Sequence, residues 1–87
     1  GIFLPVREGR TVVIGRGEQC DVRLADAAVS RFHCQFKGLA KFCVLTDLDS
    51  ANGTFVNGEK VQSKQLGTGD VVTVGSTKLI FGIESDM

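Results

Sequence analysis

The sequence contains no tryptophan and no tyrosine, only one histidine and three cysteines. Without Trp or Tyr it offers no Tyr or Trp platform on which single-stranded nucleic acid could stack. An excess of one charge is also missing: ten Lys+Arg face ten Asp+Glu, a formal net charge of +0. That excludes a nucleic-acid or membrane-surface binder acting through bulk charge. No apolar run approaches the roughly 18–20 residues of a membrane span. The opening Gly-Ile-Phe-Leu-Pro-Val has no basic segment and no initiator Met, so no secretory signal is expected. Residues 1–87 are read as a single domain excised from a longer protein.

Cys20, Cys34 and Cys43 are odd in number and show no C-x-x-C spacing, and His33 is the only imidazole. A structural zinc site usually takes four ligands, often in closely spaced pairs. Reduced, structural thiols are therefore expected, as in a cytosolic protein, with no metal and no cofactor. Catalytic patterns are missing as well. Ser30 lies three residues before His33 with no specified triad geometry. Gly15-Arg16-Gly17 is a bare G-x-G with no helix after it, and no phosphate-binding loop of the G-x-x-x-x-G-K-[ST] type exists. Asp21, Asp26, Asp47, Asp49 and Asp70 stand singly and read as turn formers. The chain is not expected to be an enzyme.

What is present is a β pattern. Hydrophobic residues make up 43% of the chain, enough for a real core. No window repeats apolar residues at helical spacing; the most helix-like stretch is a turn within Ala25–Ala28. Short runs rich in Val, Ile, Phe and Thr are broken by Gly, Asp, Asn and Ser. They predict strands over 2–6, 10–14, 21–24, 32–36, 42–48, 54–56, 64–66, 70–74 and 78–83. Within 32–36, alternation assigns Phe32, Cys34 and Phe36 to one face and His33 and Gln35 to the other. Many short strands at this spacing predict an all-β, antiparallel sandwich or small barrel. The charge is uneven along it: residues 1–41 carry seven Lys/Arg and four Asp/Glu, residues 42–87 three and six.

The loops carry the chemistry. Gly15-Arg16-Gly17, Ser30-Arg31 and Ser50-Ala51-Asn52-Gly53-Thr54 follow the second, third and fifth predicted strands. A helix-free sandwich gathers alternate loops at one end. There they would assemble two guanidiniums, a hydroxyl, glycine-exposed amides and a carboxamide. Guanidinium forks, hydroxyls and amides suit a phosphate monoester. A carboxamide pairs with both sides of a peptide main chain. Each residue also has a plainer reading: Arg16 and Arg31 as solvated charges, Ser30 as a turn cap, Asn52 as a turn residue.

Ile14-Gly15-Arg16, Val29-Ser30-Arg31-Phe32-His33, Asn52-Gly53-Thr54-Phe55-Val56-Asn57-Gly58, Leu66, Gly69-Asp70 and Val74-Gly75 together resemble the forkhead-associated (FHA) domain over almost the whole chain. The resemblance implies a sandwich of about eleven strands that reads phosphothreonine peptides with loops at one end. It implies that Arg16 grips the phosphate and that Ser30 binds it through hydroxyl and amide. Arg31 then contacts phosphate or flanking peptide, and Asn52 holds the peptide backbone. Gly15, His33, Gly53 and Thr54 match loop-shaping positions, with His33 a hydrogen-bonded brace. Asn57-Gly58 reads as a hairpin turn. The family also selects the third residue after the phosphothreonine.

One departure stands out. Many FHA domains place Ser or Thr directly before the Asn-Gly, and that hydroxyl meets the phosphate; here Ala51 occupies the position, with Ser50 one residue earlier. One hydrogen bond to a charged group, worth about 1.5–3 kcal/mol, is expected to be absent unless the loop bends to present Ser50. The implied partner is a phosphothreonine-containing protein, a Ser/Thr kinase or its substrate, in a bacterial cytoplasm. Nucleic acid and membrane are not expected partners, and the isolated domain is expected to be monomeric. The competing functional reading is a phosphate-independent interaction or scaffold module, docking through a sheet face or within its parent chain.

Overall fold

Side chains of successive strand residues point to opposite faces, so a segment alternating apolar and polar residues buries one face and wets the other. The computed structural model, which describes residues 2–40 and 42–83, forms ten strands among the described residues, and the rule is clearest in β4, β5 and β9. They are β1 (Ile2–Val6), β2 (Thr11–Gly15), β3 (Val22–Arg23), β4 (Cys34–Gly38), β5 (Cys43–Asp47), β6 (Thr54–Val56), β7 (Glu59–Val61), β8 (Ser63–Leu66), β9 (Val71–Val74) and β10 (Thr77–Ile83). No described residue is helical, and 27–28 form a turn.

Two five-stranded sheets result, ordered β1-β10-β9-β6-β7 and β3-β2-β4-β5-β8. Most neighbours are antiparallel, but β1 pairs with β10 and β2 with β3 in parallel, so both sheets are mixed. The sheets enclose a single apolar layer to which Leu4, Ile14, Cys34, Phe36, Leu45, Val56, Val72, Leu79 and Phe81 contribute. Phe36 from one sheet and Phe81 from the other stack across it, with ring centroids 6.5 Å apart and planes 10° from parallel. Fully burying a side chain of this size contributes about 1.5–3 kcal/mol. Cys34 and Cys43 are buried free thiols in this layer. Burial pushes their pKa values up, to about 12 and about 11, so both stay protonated and inert.

Three local expectations change. The strand predicted over 32–36 begins at Cys34, so Phe32 does not share a face with Cys34 and Phe36. Phe32 is 43% exposed, whereas His33 is wholly buried. The cause is the preceding loop, which docks on β2 through His33 N–H to Ile14 O (2.9 Å) and breaks the alternation. Strand β7 carries Glu59 and Lys60, both exposed, and has no apolar alternation. Its pairing with β6, Val56 opposite Glu59, is imposed by the turn at Asn57-Gly58. Asp47 ends β5 and is nearly buried rather than sitting in a turn.

Candidate functional site

Three connections meet at one end of the sandwich: 16–21 between β2 and β3, 24–33 between β3 and β4, and 48–53 between β5 and β6. The middle one is the hub. Arg16 N–H donates to Ser30 O and Gly17 N–H to Arg31 O, each at 2.9 Å, zipping the first loop to the second. This approach explains Gly15: a Cβ there would run into the Arg31 carbonyl. On the other side, Ala51 N–H donates to Ser30 Oγ (2.9 Å) and Asn52 Nδ2 to Ala28 O (2.9 Å).

Beneath the loops lie the buried polar residues of the described chain, His33, Asp47 and Thr54. His33 Nδ1 accepts from Ser30 N–H at 3.0 Å. The ring is therefore protonated at Nε2, which donates to Gly53 O at 2.8 Å. One imidazole thus braces two loops. Asp47 accepts from Ser50 N–H, Ser50 Oγ–H and Thr54 Oγ–H. Burial pushes its pKa up, but these bonds outweigh burial and hold it below the ordinary 3.8. No buried side-chain nitrogen or oxygen among the described residues lacks a partner, which makes the cluster a rigid floor.

Above the floor the surface is cationic. Arg16, Arg31 and Arg23 are exposed and line one open cleft of about 520 Å³ with Gly17, Glu18 and Gln19. Among the described residues, neither Arg16 nor Arg31 has an ion-pair partner. Arg23 was not singled out by sequence. Parallel pairing sets it opposite Gly15, and its Nε donates to Arg16 O at 3.1 Å. Its only sequence signal was one more cation in the basic half of the chain.

The four predicted binding residues, Arg16, Ser30, Arg31 and Asn52, come together, and Gly15, His33, Gly53 and Thr54 lie under or between them. Two details differ from the expectations. The Ser30 amide is committed to His33, so only its hydroxyl, which accepts from Ala51, keeps a proton to donate. Ser50 does not replace the hydroxyl absent at Ala51, because its one proton goes to Asp47 and its oxygen accepts from Gly53 N–H (3.0 Å). Among the described residues, no group of three or more His, Cys, Asp or Glu could hold a metal ion, and no helix is long and apolar enough to cross a membrane.

The architecture defines a class: a sandwich, helix-free among the described residues, presenting a rigid, arginine-rich loop end. The FHA domain family model matches residues 12–75, and the chain belongs to the FHA domain family. It is 43% identical over 75 residues to the FHA domain-containing protein FhaA of Mycobacterium tuberculosis, covering 86% of this chain and 14% of that protein. It is 40% identical over 78 residues to the glycogen accumulation regulator GarA of Mycolicibacterium smegmatis, covering 87% of this chain and 49% of that one. The chain thus spans half or less of the curated relatives it matches. A solved structure concerned with phosphothreonine-dependent FHA domain interactions superposes with a TM-score of 0.80 at 43% identity, covering 86% of this chain and 77% of that one.

Proposed function

We propose that this domain binds proteins phosphorylated on threonine and works as a non-catalytic recognition module in Ser/Thr kinase signalling. The observation that carries this reading is the joining of three loops at one end, through Arg16 N–H to Ser30 O, Gly17 N–H to Arg31 O and Ala51 N–H to Ser30 Oγ, with Arg16, Arg31 and Asn52 exposed. The likeness to a domain whose interactions depend on phosphothreonine supports it.

A phosphothreonine carries a charge of about −1.5 to −2. Arg16 engages the phosphate with its fork, and the Ser30 hydroxyl donates a further bond. The Arg31 amide, which has no intramolecular acceptor among the described residues, faces the same group, and the Arg31 side chain flanks it. Asn52, held by Ala28 O, keeps its carbonyl for a peptide N–H. Discrimination against phosphoserine is modest, since one methyl in a pocket is worth about 1–3 kcal/mol. The partner is a kinase or its substrate in a bacterial cytoplasm, and the domain acts as a monomer.

The test is an anisotropy titration with a degenerate phosphothreonine peptide library, beside the unphosphorylated library and the Arg16→Ala variant. Saturable binding that needs both phosphate and Arg16 is expected. Equal binding of the unphosphorylated library, or an Arg16→Ala domain that binds as well as the wild type, overturns the reading.

A further inference from the structure

We propose that Arg23 forms a second anion subsite, selecting phosphothreonine segments that carry another negative side chain, a carboxylate or a second phosphate, near the phosphothreonine. This rests on the phosphothreonine reading above. The cleft extends past the groups that hold the first phosphate: Ser30 and Asn52 do not line it, whereas Gln19 and Arg23 do. Its volume, about 520 Å³, far exceeds one phosphate group. A phosphate held between Arg16 and Ser30 leaves the Arg23 end unfilled.

The Arg23 head is also fixed in place. The parallel register of β3 on β2 sets its backbone level with Gly15, and the Nε bond to Arg16 O anchors the guanidinium. Both terminal amino groups remain for a ligand, and a guanidinium anchored at Nε is pre-organised as a fork for a carboxylate or phosphate. Glu18 is the one carboxylate lining the cleft. It opposes an incoming anion without cancelling three arginines.

The experiment uses phosphothreonine peptides in a neutral background, with one aspartate or one phosphoserine walked from the third residue before to the third residue after the phosphothreonine. Wild type, Arg23→Ala, Arg23→Lys, Glu18→Gln and Arg16→Ala are titrated with each. At one position the wild type should bind the acidic peptide about three- to tenfold tighter than the neutral one, as charge-assisted bonds in an open cleft allow. Phosphoserine should exceed aspartate, and the preference should shrink with added salt. Arg23→Ala should erase the preference, with a smaller loss on the neutral phosphopeptide than on the acidic one, Arg23→Lys should keep part of it, and Glu18→Gln should enlarge it.

A wild type with no preference at any position overturns the subsite. So does Arg23→Ala weakening neutral and acidic peptides equally, because Arg23 would then only brace the Arg16 carbonyl. A folded wild type that binds no phosphopeptide overturns the phosphothreonine reading itself and the subsite with it. Arg16→Ala separates the cases, since it should abolish binding of neutral and acidic phosphopeptides alike.

Discussion

The dipeptide Asn-Gly occurs twice within seven residues, and the fold uses the two copies in opposite ways. Asn57 and Gly58 have φ of 50° and 86°, the paired positive values of a type I′ hairpin turn. They join β6 to β7 within one sheet. A Cβ on Gly58 would meet nothing within 4 Å, and the Asn57 carboxamide spans the start of β9, donating to Asp70 and accepting from Val71 N–H. Asn52-Gly53 sits instead where the chain leaves one sheet for the other. Gly53 alone has positive φ, 89°, is buried, and offers its carbonyl to His33. The same two residues make a hairpin turn tied to the start of β9 in one place and a member of a three-loop assembly in the other. Local preference permits both; only the surroundings separate them.

The comparison breaks most sharply at His33. Replacing it with Ala should cost about 3–5 kcal/mol, through a cavity and two orphaned backbone groups under the first Asn-Gly. Chemical denaturation checks this, and a loss below about 1 kcal/mol would mean the brace is dispensable. Gly53→Ala and Gly58→Ala should each lose about 1–2 kcal/mol, because both force an L side chain into positive φ. Only Gly53→Ala, whose Cβ would also press on the Lys60 side chain, should reduce phosphopeptide affinity.

A finer contrast lies in the asparagines. Asn57→Ala should lower stability by about 1 kcal/mol, with its bond to Val71 N–H gone, and leave binding intact. Asn52→Ala should do the reverse, cutting phosphopeptide affinity about tenfold or more as bonds to the peptide main chain vanish, with a change in melting temperature of a few degrees at most. Calorimetry and anisotropy on the same preparations settle the crossover, and matching behaviour of the two variants would erase it.

The smallest expected effects follow pH. Asp47 under the first Asn-Gly, and Asp26, which takes hydrogen bonds from the Ser76 hydroxyl and amide and from the Ala28 amide, both titrate below 3.8 in the folded state. A carboxylate with a depressed folded pKa contributes stability that is present above its unfolded value and lost as pH falls through the folded one. Thermal stability should therefore decline below about pH 4, and less steeply in Asp47→Asn. Binding should weaken earlier, below about pH 6, where the phosphate takes up its second proton while Arg16 stays charged. Tighter binding at lower pH would count against phosphate recognition.

Much of this was legible from sequence. Period-two alternation and glycine-rich joints placed nine of the strands to within a residue or two, and the ordered loop motifs named Arg16, Ser30, Arg31 and Asn52. The misses share one cause. Phe32 and His33 exchanged exposure because a loop docking on β2 overrode alternation. Strand β7 has no apolar signal because its partner and turn, not its own face, make it a strand. Asp47 read as a turn former because nothing local shows that Ser50 and Thr54 will both donate to it.

The linear chain by itself therefore determined the all-β class, the joints and the identity of the groups gathered at the loop end, since these depend on side-chain periodicity, glycine freedom and residue chemistry. Tertiary structure alone decided that Ser50 turns inward to Asp47, that the Ser30 amide is taken by His33, and that Arg23 joins Arg16 in one cleft. Each of those outcomes is a competition among hydrogen-bond donors and acceptors many residues apart, and only the folded geometry ranks the competitors.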